Sequence, residues 1–459
     1  MKKIAIGLGV VVVLIVGAIA IVPRVIDWNG YKPDIAAAVK DATGRDLTIA
    51  GDIDISVLPG GSFSASGIQF ANAEGAASPQ MATIERIEGD IALLPLIGGK
   101  LVVERLVVVD PVISLEIDQN GRPNWQFANA PAAEPAEPGE SGGDAPLGDL
   151  RLDDVRIEGG AVTFTDARTG QKIEARDIAM SAALPALSEP LALDGSLTLN
   201  EEPTTLAFRV ATPEQLMEGD RAEVTAKIDS KHIKLNYDGG VQQKPAPGLD
   251  GVFDLDIPSA GALAAWLGRP LPEGQPDPGP VKAHAVFAAD GGAVAIKEAT
   301  LEGEALKATA TGSLDVSGDA PKLVLNVESG VLDIDRYLPK PPATAVEKAP
   351  AARPAREGDL FAGVPEEPFD LGPLKQGEAD VRIQMGGVKA AGFEVGEVLF
   401  VAKLAGGALT ANLEKLALYG GDVAGEVRLD ATGDALQMAT DMAVKGVDTG
   451  KLSRAATGG

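Results

Sequence analysis

The side chains that most readily do chemistry are scarce in this sequence. It has two histidines, His232 and His284, and no cysteine. Neither histidine has an acid–nucleophile pattern near it, so surface or edge positions account for them better than catalysis or metal ligation. Three Asp-x-Asp pairs, Asp52/Asp54, Asp254/Asp256 and Asp333/Asp335, have a spacing that could hold a metal or a sugar nucleotide. The first two sit in alternating stretches, where residues two apart share a face, so both carboxylates point to water. Arg336 adjoins the third and neutralises it. No glycine-rich loop joins a strand to a helix as a phosphate cradle does, and no G-x-S-x-G elbow occurs. Gly239-Gly240, Gly291-Gly292 and Gly406-Gly407 lie between strand-like runs and read as hairpin turns. The expectation is a protein that is not an enzyme and uses no cofactor or metal.

What is abundant is aliphatic alternation. From residue 46 onward apolar and polar residues alternate with period two, the signature of strands with one buried face. Ile53, Ile55 and Val57 alternate with Asp52, Asp54 and Ser56; Ile113, Leu115 and Ile117 alternate with Ser114, Glu116 and Asp118. Val162 and Phe164 alternate with threonines, and Phe253, Leu255 and Ile257 with Asp254 and Asp256. Val381, Ile383 and Met385, then Val427 and Leu429, continue the theme. Residues 101–109 differ, because Leu101, Val103 and Val107 belong to a run that is apolar on both faces; such a strand is covered twice or lines an apolar concavity. Short turns between runs predict consecutive antiparallel pairing. The aliphatic faces, lined by Ile53, Ile55, Val57, Leu101, Val103, Val107, Ile113, Leu115, Ile117, Val162, Phe164, Phe253 and Leu255, are the one functional candidate with physical content. On the residues alone they form either the closed core of a β-sandwich or an open groove suited to acyl chains, to which the low aromatic content of 4% adds a hint.

A formal net charge of −26 argues against a nucleic-acid partner, which needs clustered Lys and Arg, and against adsorption to an anionic membrane surface. It fits a self-repelling soluble ectodomain. Lys2 and Lys3 precede an uncharged run over residues 4–22, ended by Pro23 and Arg24. As a helix that run would span roughly 28 Å at 1.5 Å per residue, close to a bilayer core. The positive-inside rule leaves the lysines in the cytoplasm and exports the rest. The rival is a cleaved signal peptide with Ala18-Ile19-Ala20 at its end, but the run is longer than such segments usually carry. Trp28 then falls where an interfacial aromatic belt would sit.

A short helix is predicted after the anchor, capped by Asn29 and stopped by Gly44, and a second over residues 261–267, anchored by Trp266. Trp125 follows Asn120-Gly121 and reads as packing at a sheet end. Residues rich in Pro, Ala and charge mark two linkers. The expected order is an anchor at 1–24, a β region with a short helix at 25–127, a linker at 128–149, repeated hairpins at 150–338, a second linker at 339–370 and a last β region at 371–459. Shorter breaks fall near residues 242–248 and 268–280. The loose repeat behind the hairpin reading compares Leu152, Val155, Ile157, Gly160 and Val162 with Leu416, Leu418, Gly421, Val423 and Gly425.

Several segments together resemble the AsmA family of bacterial envelope proteins. They are Ile26-Asp27-Trp28-Asn29-Gly30-Tyr31-Lys32, Thr43-Gly44-Arg45, Ile49-Ala50-Gly51-Asp52, Leu58-Pro59 and Ile68 to Asn72. Leu332-Asp333-Ile334-Asp335-Arg336-Tyr337-Leu338-Pro339 and Leu418-Tyr419-Gly420-Gly421 with Gly425 extend the match toward the other end. Family members usually run beyond the tyrosine-glycine-glycine segment, so a chain stopping at Gly459 is expected to be a shortened member or a piece of one. The resemblance implies a mainly β protein: an N-terminal transmembrane helix, then an elongated, curved antiparallel sheet with an apolar groove and a few short helices. It also implies an inner-membrane anchor with the bulk in the periplasm, phospholipid acyl chains as ligand, and a role in lipid transport and outer-membrane assembly. Outer-membrane assembly proteins are the possible protein partners. The alternative is a periplasmic scaffold that regulates protein targeting to the outer membrane.

Overall fold

The computed structural model describes residues 27–56, 61–92, 102–127, 151–318, 320–337, 375–390, 393–433 and 436–457. The anchor expected over residues 4–22 and both linkers lie outside these, as do the groove candidates Val57 and Leu101. Among the described residues no helix is long and apolar enough to cross a membrane. The chain forms two compact units, Met1–Lys244 with Trp266–Arg269, and Pro245–Ala265 with Pro270–Gly459. The division falls in the break at residues 242–248.

The first unit opens with a short 3-10 turn, Trp28–Tyr31, that runs into α1 (Lys32–Thr43). Asp27, not Asn29, caps the turn by accepting from the Asn29 N–H. Asn29 instead reaches across and accepts the Ile53 N–H at 3.0 Å, covering the edge of the first strands. Gly44 ends α1 in the left-handed conformation at φ 75°, as its position predicts. The strands are β1 (Leu47–Ile49), β2 (Ile53–Ser56), β3 (Gly61–Ala71), β4 (Gln80–Ile91), β5 (Val102–Val109), β6 (Val112–Ile117), β7 (Arg151–Asp166) and β8 (Gln171–Leu184). They continue through β9 (Leu191–Leu199), β10 (Glu202–Val210), α2 (Pro213–Glu218), β11 (Ala222–Ser230) and β12 (Lys234–Gln242). Trp266 belongs to this unit. Its indole Nε1 donates to the Leu199 carbonyl at 2.7 Å, and its ring stacks on His232 at 5.1 Å.

The sheet is mixed, which corrects the all-antiparallel expectation. β7 runs parallel to both β5 and β6. In the second unit β17 runs parallel to β18. Parallel neighbours need a crossover of a dozen residues or more, and the three parallel pairings all span one of the two long connections, 118–150 and 334–377. Long linkers carry no strand direction in their composition, so hairpin logic fails where they intervene.

The second unit comprises β13 (Gly248–Ile257), α3 (Ala260–Trp266) except its last residue, β14 (Val281–Asp290), β15 (Ala293–Gly303), β16 (Lys307–Asp315), β17 (Lys322–Asp333), β18 (Glu378–Ala390), β19 (Phe393–Ala405), β20 (Ala408–Leu418), β21 (Gly421–Asp430), β22 (Gln437–Lys445) and α4 (Thr449–Thr457). Asp277 starts α3: its carboxylate accepts the Ser259 hydroxyl at 2.5 Å and the Gly261 N–H at 2.8 Å. The expected repeat divides here. Leu418 and Gly421 do flank a hairpin turn at Tyr419 and Gly420, whereas Ile157 and Val162 lie on one long strand, β7.

Period-two alternation is broken along a seam in the first unit. Gly67, Asp110, Gly159 and Asp177 all have positive φ, and the β7–β8 and β8–β9 registers shift beside them. Gly159 is needed there, because at φ 70° a Cβ would also meet Asp110 Oδ1 at 2.0 Å. Bulges of this kind reset which side chains face which side.

Candidate functional site

In-register partners on neighbouring strands share a face. Following partners across the first unit gives an unbroken apolar row. Ile55 pairs with Phe63, Phe63 with Gly89, Gly89 with Leu106, and Leu106 with Val155. From Val155 the row passes to Ala182, Leu193, Phe208, Ala226 and Tyr237. A second row, two residues along each strand, begins Ile53, Ala65, Ile87, Val108 and Ile157. It continues through Met180, Gly195, Leu206, Ile228 and Leu235. No polar side chain except the tip of Tyr237 interrupts either row.

The opposite face is polar in the same register. Asp54, Ser64 and Glu88 lead to Val107, then Arg156, Ser181 and Asp194. Arg105 donates to Glu88 at 2.8 Å and Arg209 to Asp194 at 2.7 Å, so this side is an ion-paired exterior. Val107 therefore leaves the groove set. It is only 3% exposed, but it sits between Glu88 and Arg156 on the charged side, because its neighbours Leu106 and Val108 are the ones that join the aliphatic rows. Val103 does join the apolar side. A register shift between Asp90 and Ile91 turns it to face Ile91 and Leu152.

Beyond the seam lies a separate apolar band. Leu47, Phe70, Ala82, Ile113, Val162, Ala175 and Leu199 form one row of it, and Leu115, Phe164 and Ile173 another. Ile117 closes the band, since its partner is the charged Asp166. This band has a cover. Trp125 lies 6.4 Å from Phe164 and Phe127 6.0 Å from Phe70, ring to ring. The covering segment is locked by Asn124, which donates to Asn72 Oδ1 at 2.8 Å and to the Ser114 carbonyl at 2.7 Å. Arg45 donates to the Asn124 carbonyl and lies over the Phe127 ring at 4.8 Å. So Ile113, Leu115, Val162 and Phe164 share a band capped by aromatics, while Ile53, Ile55 and Val103 belong to the longer rows.

The longer rows are closed at one corner, where Leu216 of α2 packs on Val210, Ala222 and Val224. Elsewhere their side chains are half-buried, and Phe208 and Ile228 are exposed at 36% and 38%. Among the described residues no large side chain is fully buried. A sealed sandwich interior would bury such rows almost completely.

The second unit repeats the design. Phe253 pairs with Ala285, Ala285 with Ala299, Ala299 with Ala310, and Ala310 with Val327. The row goes on through Ile383, Phe400, Leu413, Gly425 and Met442. Leu255 heads a neighbouring row, through Ala283, Leu301, Ala308, the polar Ser329 and Met385 to Val398, Leu416 and Val423. The Asp-x-Asp pair between them faces the other way. Asp254 lies in hydrogen-bond contact with the His284 ring at 2.7 Å and Asp256 is ion-paired to Lys282 at 3.2 Å, each across the β13–β14 pair on the polar face. Asp333 lies 3.6 Å from Arg336, as their adjacency predicts. Among the described residues no cluster of His, Asp and Glu could hold a metal ion.

Two ten-strand apolar faces, each backed by an ion-paired exterior, define the class: a mainly β protein of mixed sheet with a few short helices. The family follows from the sequence: the AsmA family model matches residues 1–246, and the chain belongs to the AsmA family. That membership is consistent with an envelope-associated function. No curated protein matches the chain.

Proposed function

We propose that this protein is an inner-membrane-anchored, periplasmic, non-catalytic protein that binds or conducts phospholipid and so supports outer-membrane assembly. Residues 4–22 would serve as its single-pass anchor. The observation that carries the reading is the pair of aliphatic rows that cross ten strands without a polar break and keep their side chains half-open. An acyl chain laid along them leaves water at about 0.8 kcal/mol per buried methylene, while the headgroup stays hydrated. Such a mechanism needs no acid, base, cofactor or metal. The test is mass spectrometry of the full chain purified in mild detergent, with phospholipid expected to co-purify. Protein that emerges free of lipid from repeated preparations would overturn the reading.

A second reading, a scaffold for outer-membrane protein assembly, is favoured by one feature. Strand β22 is exposed along its whole length, with Met438 at 68% exposure, and among the described residues its paired strand is β21, so its other edge can accept a partner's strand. Crosslinking in intact cells separates the two, since protein adducts without lipid adducts favour the scaffold.

A further inference from the structure

The aliphatic rows of the second unit run out at β22. Gly425 pairs with Met442 and Val423 with Val444, and both β22 side chains are more than half exposed. Met438, the partner of Leu429, lies on the same side. Inner strands of the face are flanked by apolar neighbours on two sides, whereas among the described residues β22 is paired with β21 alone. Its reverse side carries Asp441, Ala443 and Lys445, every second residue. Lys445 stands opposite Asp422, but Asp441 stands opposite Glu426, a like charge that costs stability at that position. Glu426 is itself ion-paired to Arg428. The edge thus presents an acid and a base with a small residue midway between them, and the acid has no cation directly across the strand pair.

That pattern is its own complement. We propose that β22 pairs antiparallel with β22 of a second copy of this chain, about a two-fold axis at Ala443. In this register Asp441 of each copy falls opposite Lys445 of the other, Ala443 meets Ala443, and on the aliphatic side Met442 meets Val444. Other registers serve less well. Overlapping the strands end to end, about Asp441, sets the two aspartates against each other, and pairing about Met442 leaves Asp441 and Lys445 opposite alanines. A slip by one residue turns Met442 and Val444 against the polar side. The chosen pairing gives Asp441 the cation that β21 does not supply, and it carries the aliphatic face of one copy into that of the other. It stands apart from the lipid reading, and it commits to one occupant the edge that the scaffold reading offers to another protein's strand.

The test uses the full chain in mild detergent. A contact over residues 441–445 is smaller than a standard interface, so sedimentation should show a reversible dimer with dissociation on the order of 10 μM. The chain has no cysteine, so single cysteines report the register without background. Ala443→Cys should form an intermolecular disulfide under mild oxidation, because facing residues of an antiparallel pair bring their Cα atoms within bridging distance. In the same register Ala439 falls opposite Val447, so its two copies lie about 27 Å apart at roughly 3.4 Å per residue, and Ala439→Cys should stay unlinked. Asp441→Lys should weaken the dimer about ten-fold by opposing like charges, and adding Lys445→Asp should restore it. A chain that sediments as a monomer up to about 100 μM overturns the proposal, as does a dimer that links through Ala439→Cys or fails to link through Ala443→Cys. These readouts hold whether or not the charge variants fold. Loss of the dimer in Asp441→Lys without recovery in the charge-swapped chain overturns the ion pairing that sets the register.

Discussion

The ring of Phe63 lies over Gly89: a Cβ on Gly89 would come within 2.2 Å of Phe63 Cε1. The two are in-register partners on β3 and β4, within the aliphatic row from Ile55 to Tyr237. A glycine under an aromatic lets the ring lie flat on the backbone, so the row keeps an even depth where a larger pair would stand out. Gly89 is itself buried, and Phe63 is its cover.

Replacing Gly89 by alanine forces the ring off the backbone, so Gly89→Ala should destabilise the protein by about 1–3 kcal/mol, the usual range for overpacking. Combining it with Phe63→Leu should recover part of the loss, because the smaller side chain vacates the contested space. Thermal unfolding of the two single variants and the double variant gives the coupling. Strict additivity would show that the two residues do not compete for that volume.

The open face can be separated from the exterior by two sets of substitutions. Phe208 and Ile228 lie on the aliphatic rows and are exposed, so a carboxylate at each is tolerated by the fold but hostile to hydrocarbon. Phe208→Asp with Ile228→Asp should lower the phospholipid retained per protein several-fold. Lys227→Asp, on the opposite side between them, should leave it unchanged. Equal lipid in all three proteins would show that the rows do not hold acyl chains.

Much of this face was legible strand by strand. Ile53, Ile55 and Phe253 fall where period two puts them, and the same rule applied to β10 and β11 would have found Leu206, Phe208, Ala226 and Ile228. What period two leaves undetermined is how one strand is offset from the next. Val107 shows the limit: in Leu106-Val107-Val108 every residue is apolar, and only its partners Glu88 and Arg156 reveal its side. The seam was hidden for a related reason. Asp110 and Asp177 adopt positive φ, for which Asp is permitted but not diagnostic. The aromatic cap over Phe70 and Phe164 depends on Asn124, whose partners are 52 and 10 residues away. Local pattern carries no trace of such a clasp.

That clasp is testable by itself. Asn124 is 4% exposed and also accepts the Glu116 N–H at 2.9 Å. Asn124→Ala strips partners from a buried N–H, the Ser114 carbonyl and Asn72, and should cost about 2–4 kcal/mol in thermal or urea unfolding. It should also loosen the segment that holds Trp125 and Phe127, seen as faster amide exchange over residues 118–127. A variant as stable as the parent would show that water replaces the asparagine without penalty.

Acid should weaken the first unit through Asp166, at the end of β7. Arg168 donates to its carboxylate through the guanidinium at 2.8 and 3.1 Å and through the backbone N–H at 2.9 Å. Those bonds, the side-chain ones foremost, lower its pKa from 3.8 to about 2. A folded-state pKa below the unfolded value means that the unfolded chain takes up the proton first. The stabilisation is therefore complete above pH 3.8 and is lost as the pH falls toward about 2. Asp166→Asn cannot titrate, so its unfolding temperature should lie below that of the parent at neutral pH and fall less steeply across that window. The two curves should converge at its acid end. Parallel curves from neutral pH down through the window would show that Arg168 contributes nothing through this carboxylate, and that the β7–β8 turn is held by its backbone alone.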